Sequence, residues 1–231
     1  MFNPNSHRQI MLGVLKTIYT HVELGSFLGF KGGTAAYFLY NLPRFSVDLD
    51  FDLLKPEKEQ WIFEKLKVLL AKFGKLEEAI IKKYSLFYLI NYQTGLQKLK
   101  VEISRRTLTS QTYEVKQYAG IPLLVMSQSD MFANKLTALT ERKELANRDL
   151  FDIHFFLDNN WPINTKLLEE RTGMPHLQYL QKCIATVETV SNDSILSKMG
   201  ELLDNKGKAW VKTHLKKELL VQLKIRHANY W

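Results

Sequence analysis

Two short stretches of this chain have the residue types and spacing for chemistry. They are Lys31-Gly32-Gly33-Thr34 and the row Asp48-Leu49-Asp50-Phe51-Asp52, and fourteen residues separate Gly33 from Asp48. The first offers backbone N–H groups that phosphate oxygens can approach closely, because glycine puts no side chain in the way. The second offers paired carboxylates, the ligands that a hard divalent cation takes. Phosphoryl chemistry on a nucleotide needs both provisions.

From Arg44 to Asp52 the residues alternate with a period of two. In an extended chain Arg44, Ser46, Asp48, Asp50 and Asp52 share one face, and Phe45, Val47, Leu49 and Phe51 share the other. Successive carboxylates on that face stand about 7 Å apart, close enough to hold one or two Mg²⁺ (or Mn²⁺) ions jointly. Left alone they repel, so a cation is expected nearby. An isolated Asp-x-Asp equally suits the solvated side of an edge strand. Here its upstream context is an apolar run, Phe27–Phe30, then Gly32-Gly33, then the helix-suited Thr34–Leu39. That order predicts a strand, a turn and a helix N-terminus, which together form an anion site. A Walker A loop is excluded, since only three residues lie between Gly25 and Gly29 and Phe30 separates Gly29 from Lys31.

A two-metal site needs a third acid from another strand. The β-rich segments Tyr84–Tyr92 and Leu99–Ile103 flank Gln93-Thr94-Gly95 and read as a hairpin. In the second arm Leu99, Val101 and Ile103 face one way, while Lys98, Lys100, Glu102 and Ser104 face the other. Glu102 is therefore the candidate third metal ligand and general base, or else a cross-strand partner of Lys98 or Lys100. Further on, Ser127 and Asp130 mark a helix start, and Lys135, Ala138 and Arg142 fall on one face of that helix. A cationic stripe beside a small residue can approach a triphosphate closely. Asn147 offers a cap for the next helix, in which Arg148 and Asp152 lie four apart. The same spacing also fits a solvated helix face with an ordinary ion pair.

These pieces are Lys31-Gly-Gly-Thr34, Arg44-x-Ser46-x-Asp48-x-Asp50, Lys100-x-Glu102-Ile103, and Asp130 to Arg142 continuing to Arg148-Asp149-Leu150-Phe151-Asp152-Ile153. Together they resemble the AbiEii/AbiGii toxin family of nucleotidyltransferases, the toxin halves of type IV toxin–antitoxin and phage-defence systems. The resemblance runs from residue 25 to residue 158. It implies a polymerase-β-like nucleotidyltransferase fold, an NTP substrate, and a metal held by Asp48, Asp50 and Glu102. It places the catalytic Lys135 on the nucleotide phosphates, with Gly32, Gly33, Thr34, Arg44, Ser46, Arg142 and Arg148 also at the nucleotide. Arg44 either holds the triphosphate or neutralises Asp48 and Asp50. Asp149 or Asp152 completes the site or orients Lys135 and Arg148. The implied acceptor is RNA, the 3′ end of a tRNA, with arrest of translation as the effect and a cognate antitoxin protein as partner. The same acids also suit transfer to a small-molecule or protein hydroxyl, and a catalytically silent binding protein would keep the fold.

With 231 residues, 45% of them hydrophobic, the chain can bury a sizeable core in one large domain or two lobes. The pattern predicts an opening helix over 8–23, then the strand, turn, helix and acidic strand to Phe51. A helix from Pro56 to Phe73 ended by Gly74, the hairpin over 84–105 and a short strand within Tyr113–Leu124 follow. Beyond the 127–145 helix the pattern is almost wholly helical, with breaks at 158–162, 173–175, 191–193 and 204–207. The expected architecture is α+β: a small mixed sheet flanked by helices over 1–126, then a helical lobe over 127–231. No apolar run nears eighteen residues and no charged-then-apolar leader is present, so a cytoplasmic protein without membrane contact is expected. Cys183 is the single cysteine, which excludes an intramolecular disulfide and a cysteine-based zinc cluster, and His154 reads as a packed or surface histidine. Net charge is +8, and from Ser197 to Trp231 eight Lys/Arg face three Asp/Glu, a local excess of five. Such a surface suits RNA or an acidic partner.

Overall fold

The computed structural model describes residues 3–93, 97–106, 108–142 and 144–229. The chain divides into two compact units, one of residues 1–41, 45–107 and 113–126, the other of residues 42–44, 108–112 and 127–231.

In the first unit, helix α1 (Pro4–Tyr19) starts where the Asn3 side chain accepts the N–H groups of Asn5 and Ser6, with proline at the helix start, where its missing donor costs nothing. Met11, Val14, Leu15 and Ile18 bury its apolar stripe. There follow α2 (Leu24–Phe27), β1 (Leu28–Lys31), α3 (Gly32–Tyr40), β2 (Asp48–Leu53) and α4 (Glu59–Leu70), the last flanked by 3-10 turns at Pro56–Lys58 and Ala71–Phe73. Strands β3 (Lys75–Ile81), β4 (Ser85–Gln93), β5 (Gln97–Ser104), β6 (Tyr113–Tyr118) and β7 (Ile121–Met126) complete the unit. The sheet is mixed and seven-stranded in the order β3-β4-β5-β2-β1-β7-β6, with β2–β5 and β1–β7 parallel. Leu49 and Phe51 of β2 and Leu99, Val101 and Ile103 of β5 are fully buried. Each such side chain contributes roughly 1.5–3 kcal/mol by leaving water.

The strand–turn–helix order around Gly32 and the antiparallel β4–β5 hairpin match the sequence expectation. The expected hairpin turn at Gln93-Thr94-Gly95 falls largely outside the described residues. Three features differ. The acidic strand begins at Asp48, so Arg44 and Ser46 do not share its face. Helix α3 ends at Asn41 in the left-handed region (φ 58°), Pro43 lacks an N–H, and the Arg44 N–H closes a turn on the Leu42 carbonyl. Strand β3 escaped the sequence reading because its exposed Glu77-Glu78 and successive Ala79-Ile80-Ile81 break the alternation of a half-buried strand. Between Tyr113 and Met126 two strands replace the one expected. Their turn puts Ala119 (φ 49°) and Gly120 (φ 76°) in the conformation that Asn-Gly usually announces, and alanine hides that signal.

The second unit contains α5 (Gln128–Glu141), α6 (Asn147–Asp158), α7 (Thr165–Thr172), α8 (His176–Glu188), α9 (Asn205–Trp210) and α10 (Lys216–Ala228), with a π-helical turn at Val211–Leu215 joining the last two. Ser127 caps α5 as expected, accepting the Asp130 N–H. Asn147 does not cap α6: Ala146 holds that position, and the Asn147 amide donates to the Ser194 carbonyl at 2.6 Å. The break at 204–207 is a helix start, where the Asp204 side chain accepts the Gly207 N–H. Phe156 stacks on Trp161 at 4.1 Å and meets the Phe132 ring edge-on at 5.6 Å. Cys183 is buried in α8, and that burial pushes its thiol up to about 12. His154 packs against Trp210 and pairs with Glu218. Among the described residues no helix is long and apolar enough to cross a membrane.

Candidate active site

In the first unit the parallel pairing of β2 with β5 sets Asp48 opposite Lys100 and Asp50 opposite Glu102. Directly paired residues project to the same side of a sheet, so the three acids emerge together, with Lys100 among them. Lys100 Nζ lies 3.2 Å from Asp48 Oδ2 and 3.5 Å from Glu102 Oε2. It is the cation that the repelling pair requires. Burial alone would lower the Lys100 ammonium, but Asp48, Asp50 and Glu102 outweigh it and hold it raised. Burial pushes the Asp50 carboxyl up; Lys100 and Lys31 pull it down, while Asp48 and Glu102 add to the rise.

The third member of the acidic row is committed elsewhere. Asp52 is buried, takes the Lys31 ammonium on Oδ1 at 2.5 Å and accepts the Tyr113 hydroxyl on Oδ2 at 2.8 Å. Its charge is neutralised inside the fold.

Gly32 is required twice over. Its φ of +82° lies where other residues are strained, and a Cβ there would come 2.8 Å from Asp50 Oδ2. The Asp50 carboxylate therefore leaves no room for a side chain at this position. Gly33 follows as the second residue of α3, whose cap residue Lys31 makes no side-chain hydrogen bond to the first turn. The N–H groups there retain the character of an anion site.

Thr34 and Ser46 are buried and lie 2.8 Å apart, hydroxyl to hydroxyl, and Thr34 also reaches the Asp48 carbonyl. This ties α3 to the chain entering β2, which makes both positioning residues for Asp48. His7 of α1 adds a second tie that sequence spacing gave no means of finding. Its Nε2 lies 2.8 Å from the Val47 carbonyl, and its Nδ1 meets the Tyr92 hydroxyl. A carbonyl can only accept, so Nε2 carries the proton.

The second unit holds its own charge cluster. Arg44 forks onto Asp152, Nε to Oδ1 and Nη2 to Oδ2, each at 2.6 Å, with both side chains buried. Lys135 Nζ reaches Asp149 Oδ1 at 2.7 Å and Asp152 Oδ2 at 2.8 Å. Arg142 Nε stands 2.9 Å from Asp149 Oδ2 but out of line for a hydrogen bond, leaving that buried oxygen without one. Burial works to raise the Asp152 carboxyl, yet Arg44 and Lys135 hold it below the ordinary value. Lys135, which burial would lower, is held up by Asp149 and Asp152 against Arg44. Asp149 and Asp152 thus both pair with Lys135. The ordinary four-residue ion pair of Arg148 with Asp152, the alternative that the spacing left open, is not formed: Asp152 is engaged by Arg44 and Lys135, and among the described residues no carboxylate lies within ion-pair distance of Arg148.

Among the described residues no group of three or more His, Cys, Asp or Glu side chains is arranged to hold a metal ion. The donor set nonetheless fits a hard divalent cation. It is all carboxylate, it comes from two adjacent strands, and it already holds one cationic group, Lys100, between Asp48 and Glu102.

A family model described as "Nucleotidyl transferase AbiEii toxin, Type IV TA system" matches residues 14–211. No curated protein sequence matches the chain. Among solved structures, JHP933 from Helicobacter pylori superposes with a TM-score of 0.64 at 22% identity, over 98% of this chain and 92% of that one. The nucleotidyltransferase toxin MenT4 from Mycobacterium tuberculosis H37Rv superposes with a TM-score of 0.57 at 19% identity, over 96% and 85%. At these identities the likeness is one of fold.

Proposed function

The chain belongs to the AbiEii nucleotidyltransferase toxin family of type IV toxin–antitoxin systems, and on that premise we propose that it transfers a nucleoside monophosphate from an NTP to an RNA acceptor, the 3′ end of a tRNA. The observation that carries the reading is the face shared by Asp48, Asp50 and Glu102 beside the Gly32 turn. In the reaction the acceptor hydroxyl oxygen bonds to the α-phosphorus, the bond from that phosphorus to the pyrophosphate oxygen breaks, and the hydroxyl proton is lost.

Asp48, Asp50 and Glu102 are the residues that would hold Mg²⁺ or Mn²⁺. When bound, such an ion neutralises the phosphates and lowers the cost of ionising the attacking hydroxyl. Glu102, the strand partner of Asp50, is the residue we assign to take up the acceptor proton. Gly32 and Gly33 cradle phosphate oxygens with backbone N–H groups. Lys100, paired with both, holds Asp48 and Glu102 side by side. In the second unit Lys135, paired with Asp149 and Asp152, is assigned by the family pattern to phosphate, as are Arg142 and Arg148. Arg44 acts through Asp152 as a positioning residue. The family implies a cognate antitoxin protein, and a role in phage defence belongs to the same reading.

The test is incubation with labelled NTPs, Mg²⁺ and total tRNA. Label should enter RNA with the wild type and not with Asp48→Ala or Asp50→Ala. Equal labelling by the variants would refute the metal roles, and label on protein or small molecules instead of RNA would replace the acceptor.

A further inference from the structure

The second unit's π-helical turn, Val211–Leu215, is a rare geometry that concentrates at functional sites. Its backbone closes from residue i to i+5, so residues five apart approach one face, whereas an α-helix of 3.6 residues per turn would set them about 140° apart. Lys212 and Lys217 are five apart across this turn. Both line one cleft of ≈ 270 Å³ with Asn192, Thr213, Lys216 and Leu220, and none of these residues is acidic.

The three lysines are not equivalent. Lys216 is committed to structure: its Nζ donates to the carbonyls of Glu188 at 2.9 Å and Val190 at 2.6 Å, closing the C-terminal end of α8. Lys212 and Lys217 are exposed, and among the described residues neither has a carboxylate within ion-pair distance. Val211 and Leu215 are fully buried, which fixes the turn with its basic side outward. Two ammonium groups held on one face, beside a hydroxyl and an amide, suit adjacent phosphates of a flexible polyanion rather than a compact ligand. The local excess of positive charge in the final helices adds to the same field.

We propose that the Lys212–Lys217 cleft is a phosphate-backbone contact for the RNA acceptor. This rests on the RNA reading of the preceding subsection, but names a surface that reading does not use.

The full-length protein is titrated with fluorescent bulk tRNA over a range of salt. Lys212→Ala/Lys217→Ala should weaken binding at low salt about 10-fold and reduce the slope of log affinity against log salt by about 1.4–1.8, the share of two phosphates. NTP binding should be unchanged. Lys55→Ala/Lys58→Ala, which removes the same charge from exposed positions of the first unit, should leave the slope as in the wild type. Loss of equal size in both double variants, or in neither, overturns the proposal. So does binding to phosphatidylserine vesicles that the cleft variant loses while keeping RNA. A wild type that labels RNA alongside an unaffected cleft variant removes only the cleft; a wild type that binds no RNA removes the acceptor reading and the cleft with it.

Discussion

Asp50 and Glu102 are direct partners in the parallel pairing of β2 with β5, and Lys100, two residues before Glu102, lies between the Glu102 and Asp48 carboxylates. An acid group is thus built on two adjacent strands with its own internal counter-ion. Its behaviour with and without divalent cations should report that arrangement.

Substitution of the acids is expected to remove chemistry while sparing the fold. Asp48→Asn, Asp50→Asn and Glu102→Gln should each lower the rate of nucleotidyl transfer by on the order of 10²–10³, the size seen when a preorganised electrostatic contact to the transition state is lost. Thermal unfolding of these variants should stay within a few degrees of the wild type. A Glu102→Gln enzyme with the wild-type rate would remove Glu102 from the site.

Lys100→Met leaves Asp48, Asp50 and Glu102 without their shared ammonium. In chelator the variant is expected to melt below the wild type, by about 1 kcal/mol or more. Adding Mg²⁺ should raise the melting temperature of the variant more than that of the wild type, because the acids then bind the ion without competition from the lysine. Equal Mg²⁺ shifts in the two proteins would count against a cation site at these residues.

Gly32→Ala combines a forbidden φ with a clash against Asp50 Oδ2. The expected cost is about 1–3 kcal/mol in stability. Transfer activity should fall further than stability explains, since the carboxylate must move. Measured kcat for the folded fraction separates the two effects.

The Arg44–Asp152 fork is buried, and cutting it by Arg44→Ala is expected to cost roughly 3–5 kcal/mol. Asp152 is held below its ordinary pKa in the folded state by Arg44 and Lys135 against burial. A depressed carboxylate contributes stability that is complete above the unfolded value and disappears as pH falls through the folded one. The gap in denaturant midpoint between wild type and Asp152→Asn should therefore be constant from neutral pH down to about 4–5, then shrink toward lower pH. A gap that stayed constant to pH 2 would contradict the ionised pair.

Much of this was legible along the chain because it is local. The period-two alternation of Asp48 to Asp52 settles which side chains of β2 face the core, and a glycine pair between an apolar run and a helix-suited segment settles the turn. Ser127 announces α5. Each signal spans only a few residues and acts through backbone geometry or burial that neighbours in sequence control.

What the tertiary structure decided is partnership. Which of the alternating acids is committed inside the fold depends on Lys31 and Tyr113 claiming Asp52, and Tyr113 lies sixty-one residues away. Lys100 becomes the counter-ion only through the register of two strands whose pairing is non-local, and Arg44 finds Asp152 across 108 residues. Sequence period fixes the face on which a side chain stands. It cannot fix which distant charge stands opposite, because that follows from packing the whole core at once.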